Sequence, residues 1–568
     1  MILHWRGWSV VLAWFLAGGL ELQAQTAMPS RTIEVDCSAV KGPRSMVYQQ
    51  CVGAGRVAEG LRADWQAQLK VCKEAIGFKY LRCHGVLSDD LGVYHEDGAG
   101  NPIYNWQYID MVYDYLLSIH VRPFVGLDFM PDDLASVRSG TTHPPSNDPA
   151  HPEVARRVTI FWWKANVTPP KSYAKWDALI AALVRHWTER YGEEEVSQWY
   201  FDIWNEPNLA AFFSATNEAD RQKEYFELYA HTARAVKSVN PAYRVGGPAA
   251  AGLGWISDLI TYCAANQVPL DFTSFHYYGV AKAPPQKASK PVGSDLDALR
   301  PGEKSHAPPV WLMDGTNLVD EINMQKVVVA KSSMPNLPVE VGEWGPSYSR
   351  DDPVHDSFYD APYILEQLKH TETLGAMSYW AFTDILEESG PPVTAFQGGF
   401  GLVNLQGIKK PAFFAYSFLN QLGEDELVNN DARSWVARDK SGGVQALFWD
   451  LTDPRGDSQA DDWTFFGRLI VARPQGSVAL KLHNLKPNET YHVSVYRVGD
   501  GKNDAYSAYL KMGRPSQLTR GQVAELKGLA NGAPEEQRDM TTNGSGSWQA
   551  DFPINENDVV LVKLIPAT

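Results

Sequence analysis

The stretch YFDIWNEPNL (200–209) decides the architecture, because residues 200–204 predict a short buried strand that Asn205, Glu206 and Pro207 then end. Proline has no backbone N–H and stops further pairing, and an ionisable side chain at the end of a buried strand is costly to desolvate. Glu206 therefore either caps a loop or takes part in chemistry. The rest of the chain helps to separate these alternatives.

Seven further runs share this strand pattern, and helical patterns lie between them. The eight predicted strands are residues 45–51, 78–83, 123–129, 200–204, 243–247, 271–277, 338–344 and 376–382. Amphipathic helices, with apolar residues at three- and four-residue steps, are predicted at 65–75, 108–119, 173–191 and 220–239. Eight strands each followed by a helix predict an α/β fold of the (β/α)8 TIM barrel type. A doubly wound open sheet is the alternative, but no Gly-rich phosphate loop follows any strand.

The chain exceeds the usual size of one domain, so a second domain is expected beside the barrel. We assign residues 44–422 to the catalytic barrel. Residues 423–568 change to short alternating strands and polar turns, such as SVALKLH (477–483), and predict a C-terminal β-sandwich. The run RTIEVDC (31–37) is too polar and too early for a barrel strand. Residues 25–43 are therefore predicted to add an N-terminal strand to the sandwich.

Residues 1–24 predict a secretory signal peptide. Arg6 precedes an apolar run from Trp8 to Leu16, and the small residue Ala24 follows. The apolar run is too short to span a membrane. We therefore expect a periplasmic or secreted protein without membrane insertion.

The cysteines have no CxxC spacing, so a metal cluster is not expected. Mostly buried thiols are favoured over a disulfide framework, although an oxidising compartment would permit one bridge. The five are Cys37, Cys51, Cys72, Cys83 and Cys263.

The net charge of −16 argues against nucleic acid and against an anionic membrane as partners, because both require a basic surface. The 19 tryptophans and 25 tyrosines suit stacking on sugars, although core packing explains such an excess equally well. A neutral substrate is compatible with both observations.

In a TIM barrel the active site lies where the strands end at their C-termini. The side chains at these ends are Arg82, His84, Asp128, Asn205, Glu206, His276, Tyr278, Glu343, Trp380 and Asp384. Glu206 and Glu343 are on the fourth and seventh strands, so they face each other across the barrel mouth. Paired carboxylates with hydroxyl-binding and aromatic neighbours are what glycoside hydrolysis requires.

Other residues leave alternatives open. Glu340 is three positions from Glu343, so strand alternation predicts that the two point to opposite faces, and Glu343 is preferred because it is nearer the strand end. His84 and His276 could be ordinary buried core histidines, but their placement at strand ends favours hydroxyl binding. Four acids in SDD and PDD runs are more typical of solvated helix starts: Asp89, Asp90, Asp132 and Asp133.

Several motifs give the chain a resemblance to glycoside hydrolase family 39, and most closely to its bacterial β-xylosidase branch. They include GFKYLRCHGVLSDDLGVY (77–94), FWWKANVTPPKSYAKW (161–176), YFDIWNEPNL (200–209) and GGFGLVNLQGIKKPAFFA (398–415). NEP alone is shared by many barrel glycosidases, whereas SDD, FWWKANVTPPKSY and GGFGLVN are specific.

The resemblance implies a role for each site residue. Glu206 matches the general acid/base, Glu343 the nucleophile, and Asn205 the amide that holds the substrate 2-hydroxyl. Positions that bind the cleaved sugar match His84, His276, Trp380 and Glu388, with Glu387 as the alternative to Glu388; we also expect Tyr278 to bind substrate. No cofactor is implied.

The implied function is a retaining exo-glycosidase acting on a glycoside or oligosaccharide, with β-D-xylosides as the leading substrates. The chain has FHYYGV (275–280), GEWGPSY (342–348) and VGLDFMP (125–131) where β-xylosidases typically read THTYGV, TEFNTSY and VELGFMP. Bulky Phe275, Tyr277 and Trp344 are therefore expected beside the sugar.

These departures keep other functions open. An α-L-arabinoside, a β-galactoside, a β-glucoside or an endo-cleaved polysaccharide is an alternative substrate. A non-catalytic carbohydrate-binding protein is the alternative from another class. Iduronidase activity ranks low, because a uronate needs a basic partner and Arg82 is the only strand-end candidate. A homo-oligomer is neither predicted nor excluded.

Overall fold

The computed structural model describes residues 30–138, 158–215, 220–281, 311–312, 317–371, 374–453 and 462–567. The predicted signal peptide, residues 1–24, lies outside these ranges. None of the helices within them combines the length and the apolar composition that a membrane crossing requires.

Strands and helices alternate through the first two thirds of the described chain, and strands predominate after it. The strands are β1 (Ser30–Pro43), β2 (Cys51–Arg56), β3 (Tyr80–His84), β4 (Tyr94–Glu96), β5 (Pro102–Tyr104), β6 (Arg122–Gly126), β7 (Tyr200–Asp202), β8 (Arg244–Ala251), β9 (Phe272–Tyr278), β10 (Val280–Ala281), β11 (Trp311–Leu312), β12 (Val339–Gly345), β13 (Met377–Tyr379), β14 (Asp425–Asn429), β15 (Ser434–Arg438), β16 (Val444–Trp449), β17 (Pro474–His483), β18 (Thr490–Val498), β19 (Glu536–Thr541), β20 (Trp548–Asn555) and β21 (Val559–Pro566). The helices are α1 (Ala63–Ile76), α2 (Gln107–Ser118), α3 (Tyr173–Tyr191), α4 (Glu193–Val196), α5 (Arg221–Val239), α6 (Ile256–Asn266), α7 (Asn317–Ala330), α8 (Asp360–Lys369), α9 (Pro411–Leu419), α10 (Asp462–Phe466), α11 (Ala505–Lys511) and α12 (Arg520–Leu529).

Eight parallel strands close into a barrel in the order β2-β3-β6-β7-β8-β9-β12-β13, which confirms the TIM barrel. The four predicted helices correspond to α1, α2, α3 and α5. The first predicted strand, 45–51, is displaced: Val47–Gln49 forms a 3-10 helix, and the strand begins only at Cys51. Val47 and Tyr48 bury their side chains from this helical turn, so a β-like apolar run here packs without pairing.

Strand alternation fills the barrel interior in layers. At the lower end Tyr80, Phe124, Tyr200 and Phe272 pack ring against ring, with centroids 4.7 Å apart for Phe124 and Tyr200 and 5.3 Å apart for Tyr200 and Phe272. Two residues further along each strand the same inward face continues at a higher level. This brings Arg82, Asp202 and Ser274 to the middle, and His84 and His276 to the mouth.

A β-bulge in β12 changes the expected orientation of Glu340. Glu340 pairs with Ser274 and Glu343 pairs with His276, with an irregular register between Val341 and Glu343. The extra residue, Gly342, offsets the alternation, so Glu340 and Glu343 both face the interior. The prediction of opposite faces was wrong; the two acids differ in depth instead.

The C-terminal part forms a nine-stranded sheet in the order β19-β18-β21-β16-β15-β14-β1-β17-β20. Within it β1 runs antiparallel to β14 and parallel to β17, which places residues 31–37 in this sheet. The sheet doubles over, because Phe448 of β16 and Phe552 of β20 lie 5.9 Å apart although five positions separate their strands. Its two halves therefore pack as a sandwich around a second core.

All five cysteines are buried free thiols, as the sequence predicts. Burial raises the pKa of Cys51 and of Cys263 to about 12, so these thiols stay protonated and unreactive.

Candidate active site

Glu343 lies at the barrel mouth between two donors. Arg82 donates from Nη1 to Oε1 at 2.8 Å, and the Tyr278 hydroxyl donates to Oε2 at 2.7 Å. Burial raises the pKa of Glu343, whereas the Arg82 charge and both hydrogen bonds act to lower it. The site therefore favours the ionised form of Glu343 over that of Glu206 and Glu388, whose pKa values the charge of Glu343 raises.

Glu206 is held by the turn that ends β7. Its backbone N–H donates to the Ala249 carbonyl at 3.0 Å, and its φ of 43° is left-handed. The Trp204 indole donates to the Phe212 carbonyl at 2.7 Å, which fixes the same turn from below. The side chain of Glu206 is 13% exposed, so it faces the opening of the pocket. The acid and proline of YFDIWNEPNL thus end the strand in a way that directs a carboxyl group into the mouth.

The carboxyl groups of Glu206 and Glu343 are close together, and their surroundings shift their pKa values to different extents. One ligand atom each from Glu206, His276 and Glu343 lie within 4.8 Å of one another. Burial and the negative charge of Glu343 raise the pKa of Glu206 well above its ordinary value. Glu343 is therefore the stronger acid of the two, and Glu206 holds its proton to higher pH than Glu343 does.

Two histidines flank the pair as neutral rings. His276 Nδ1 is 3.0 Å from Glu206 Oε1 and 3.5 Å from Glu343 Oε2, while His84 Nε2 is 3.4 Å from Glu343 Oε1. Burial lowers the pKa of both histidines well below the ordinary value, and the nearby Arg82 charge lowers it further. Both imidazoles are therefore hydrogen-bonding groups without charge.

Arg82 is the central residue to which the sequence analysis assigned no role in the mechanism. Its guanidinium also donates from Nη2 to Asn205 Oδ1 at 3.1 Å and lies 3.5 Å from Asp202 Oδ2. Because the Asn205 oxygen accepts from Arg82, its NH2 group remains to donate to a ligand. The inward alternation of Tyr80, Arg82 and His84 was the signal that could have identified it.

Trp380, His84 and Glu388 form one wall of the site. The rings of His84 and Trp380 are 4.7 Å apart, and His84 Nε2 is 3.9 Å from Glu388 Oε1. Burial, with the charge of Glu343, raises the pKa of Glu388 to about 8. Glu387 pairs instead with Arg56 and Arg62, so the structure brings Glu388 and not Glu387 to the site.

Three bulky residues expected beside the sugar lie elsewhere. Glu343 and His276 face inward, so their neighbours Trp344, Phe275 and Tyr277 face the surrounding helices. Trp344 is fully buried, with its ring 5.3 Å from that of Tyr379. The prediction that these residues reshape the pocket was wrong, because they belong to the layer between barrel and helices.

Two further acids at strand ends have structural contacts. Asp384 is buried with Lys410 at 2.8 Å and accepts from the Gly401 N–H at 2.7 Å. Asp128 accepts from the N–H of Gly85, the residue after His84, and burial raises its pKa to about 7. Asp128 thus holds the turn that carries His84.

The donor set of the site does not suit a metal ion. Glu206, His276 and Glu343 are close enough to share one. However, Arg82 and Tyr278 already occupy both oxygens of Glu343, and the guanidinium charge opposes a cation there. The arrangement suits proton transfer and nucleophilic attack.

A sequence model of Glycosyl hydrolases family 39 matches residues 31–547. The chain belongs to this family. It is 37% identical over 523 residues to a β-xylosidase of Geobacillus stearothermophilus, covering 91% of this chain and 92% of that protein. A β-xylosidase of Caldicellulosiruptor saccharolyticus is 34% identical over 487 residues, covering 85% and 88%. As a family 39 member the chain is a glycoside hydrolase.

A solved structure agrees with this membership. The family 39 enzyme from Xanthomonas axonopodis pv. citri superposes with a TM-score of 0.84 at 35% identity, over 96% of this chain and all of that one. At this identity and coverage the likeness extends to barrel and sandwich together.

Proposed function

We propose that this glycoside hydrolase is a secreted, retaining, exo-acting β-D-xylosidase that removes terminal xylose from oligosaccharides. The observation that carries the proposal is the asymmetric pair of carboxyl groups at the mouth: Arg82 and Tyr278 donate to Glu343, whereas burial and the charge of Glu343 raise the pKa of Glu206. Two relatives described as β-xylosidases, at 37% and 34% identity, support the choice of sugar.

The closeness of the pair supports retention. Retaining glycosidases have carboxyl groups about 5–5.5 Å apart, whereas inverting enzymes need about 6.5–9.5 Å to admit a water. Glu206 and Glu343 have oxygens within 4.8 Å of each other. This spacing supports the retaining arrangement over the inverting one.

The reaction then follows in two displacements. Glu343 forms a bond to the anomeric carbon while the bond to the leaving oxygen breaks, and that oxygen takes the proton of Glu206. Esterification removes the charge of Glu343, which was raising the pKa of Glu206, so Glu206 becomes a competent base. It deprotonates a water that hydrolyses the glycosyl-enzyme and restores both groups.

Neighbouring residues supply binding and orientation. The hydrogen bonds from Arg82 and Tyr278 favour the ionised form of Glu343 and orient it toward the anomeric carbon. The Asn205 NH2 group is placed to donate to the 2-hydroxyl of the sugar. His84, Trp380 and Glu388 border the same sugar. The Arg82 guanidinium already contacts Glu343, Asn205 and Asp202, so it is not placed to bind a uronate carboxylate, which argues against iduronidase activity.

A panel of aryl glycosides tests the proposal. We expect nitrophenol release from the β-xyloside to exceed that from the α-L-arabinoside, β-galactoside and β-glucoside, with the β-anomer formed first in an NMR time course. Xylo-oligosaccharides should yield monomeric xylose. A different preferred glycoside, an α-anomer first, or oligomeric products would each contradict the corresponding part of the proposal. Total inactivity with measurable sugar binding would favour a carbohydrate-binding protein, and cell fractionation tests secretion.

A further inference from the structure

Two groups meet at one backbone carbonyl on the outer side of Glu388. The backbone N–H of Trp162 and Nη1 of Arg350 both donate to the Glu388 carbonyl, each at 2.8 Å. Glu388 directs its side chain toward His84 in the sugar pocket. The carbonyl thus links that pocket to the rim just outside it.

Trp162 presents an aromatic face at this rim. It is 48% exposed, whereas its chain neighbour Phe161 stacks on His84 with ring centroids 5.8 Å apart. Gly390 lies under the indole in a left-handed conformation, φ 84°, and a Cβ there would approach the ring to 3.1 Å. Two consecutive residues therefore face different places: Phe161 packs against His84 in the sugar pocket, and Trp162 presents an exposed indole that contacts Gly390.

Arg350 brings a positive charge to the same place. It forms no ion pair with any carboxylate in the described ranges, although the chain carries a net charge of −16 and nearby Arg56 and Arg62 are both paired. One nitrogen is used by the Glu388 carbonyl. The remaining N–H groups of the planar guanidinium stay available for a bidentate partner.

A small cavity adjoins this guanidinium, lined also by Gln397 and Phe400. Asp384 and Glu388 are near it and form no ion pair with Arg350, although the Arg350 charge acts to lower the pKa of Glu388. Asp384 is matched by Lys410 at 2.8 Å, and Glu388, with its pKa raised to about 8, is mostly protonated at neutral pH. Arg350 therefore brings a positive charge without an ion-pair partner, within the described residues, to the cavity.

We propose that Trp162 and Arg350 form a subsite for the leaving-group sugar, in which the indole stacks on the ring and the guanidinium binds a carboxylate carried by that sugar. The preferred substrates are then xylosides whose leaving group bears a uronate. This rests on the proposed function, because it extends the same pocket outward. A charge-assisted bidentate pair and a stacked aromatic are the chemistry that recognises such a sugar.

The test compares two substrates of the same shape. One is β-1,4-xylobiose with a glucuronate on its reducing-end xylose, and the other is the methyl ester of that glucuronate, which lacks the charge. We expect the wild-type enzyme to show about tenfold higher kcat/KM for the acid than for the ester, a ratio that decreases with added salt.

Variants assign the preference to residues. Arg350→Gln keeps a donor for the Glu388 carbonyl and removes the charge, so the acid-to-ester ratio should fall to near one. Arg350→Lys should keep part of the ratio. Trp162→Ala should weaken both substrates alike, mainly through KM, and leave the ratio in place.

The outcomes separate the subsite from the proposed function. Turnover of a neutral aryl β-xyloside reports the function alone, and its absence would contradict that proposal. Normal aryl turnover with equal acid and ester rates in the wild type would overturn the subsite. If Arg350→Gln has the melting temperature of the wild type and keeps the acid-to-ester ratio of kcat/KM, the role of Arg350 is overturned.

Discussion

The two ends of the barrel interior are built by the same strands but filled with different chemistry. At the lower end the rings of Tyr80, Phe124, Tyr200 and Phe272 satisfy one another by contact. At the mouth, side chains on the same inward face are ionisable and equally buried. Burial therefore does not separate core from site; what separates them is whether a buried group needs a charge or a proton to compensate it.

Glu340 and Glu343 show this contrast within one strand. Glu340 lies deeper in the barrel than Glu343, where it pairs with Ser274 and accepts from the Ala376 N–H, and burial raises its pKa to about 8. Glu343, above the bulge, has Arg82 and Tyr278 on its two oxygens. The lower glutamate is thus neutral at pH 7 and the upper one is prepared for ionisation, so their variants should behave differently.

Glu343→Gln should have the largest effect. The amide cannot attack the anomeric carbon, so kcat should fall by at least about 10⁴-fold on every glycoside, including activated aryl ones. Steady-state kinetics with a nitrophenyl β-xyloside measures this. Activity within tenfold of the wild type would exclude Glu343 as the nucleophile.

Glu206→Ala should have a smaller effect that depends on the leaving group. We expect a loss of about 10²–10⁴-fold for substrates whose leaving oxygen needs a proton, and much less in the first step for an activated aryl leaving group. The wild type should lose activity as rising pH deprotonates Glu206, and the variant should lack that alkaline limb. Equal losses for good and poor leaving groups would contradict the acid role.

The order of strands and the strand-end residues could be predicted because both depend on local patterns. YFDIWNEPNL identified Glu206 and Asn205, and seven of the eight strands were located. The 3-10 turn at Val47–Gln49 was missed because an apolar run does not reveal whether it pairs or only packs.

The contacts of Arg82 and the bulge in β12 could not be inferred, because both depend on other strands. The role of Arg82 follows from Glu343, Asn205 and Asp202, which the fold brings around it from β12 and the end of β7. The bulge at Gly342 follows from how β12 registers against β9. Because the extra residue Gly342 was not foreseen, the predicted face of Glu340 was wrong. Phe275 and Trp344 were placed beside the sugar because strand alternation was not applied to them.

Arg82→Lys should reduce kcat/KM by about tenfold to a hundredfold. The Arg82 charge and hydrogen bond lower the pKa of Glu343, and a lysine cannot reproduce the bidentate contacts, so that pKa should rise. The acid limb of the pH profile should then move to higher pH. Arg244→Lys at the lower end is the matched control: Arg244 lies 3.7 Å above the Tyr200 ring, and its variant should leave the limb in place. An unmoved limb in Arg82→Lys would contradict the role of Arg82.

Glu340→Gln should have the smallest effect on catalysis, with kcat/KM within about twofold of the wild type, because the amide keeps an acceptor for Ala376 and the wild-type side chain is already neutral at pH 7. Its effect should be on stability. A carboxyl whose folded pKa is raised from 4.5 to about 8 binds more protons in the folded state, so its contribution to stability falls as pH rises between these values.

Removing that carboxyl should make the variant gain on the wild type by up to about 1.4 kcal/mol per pH unit across this window. Paired melting curves from pH 5 to 8 measure the difference, in which the shared titration of Glu206, Glu343 and Glu388 cancels. A constant difference would show that Glu340 is ionised in the fold, and the two ends of the barrel would then differ less than their contacts indicate. A large loss of kcat/KM at unchanged stability would instead make Glu340 part of the site. Glu340 and Glu343 face the same interior and are separated along β12 by Val341 and the bulge residue Gly342.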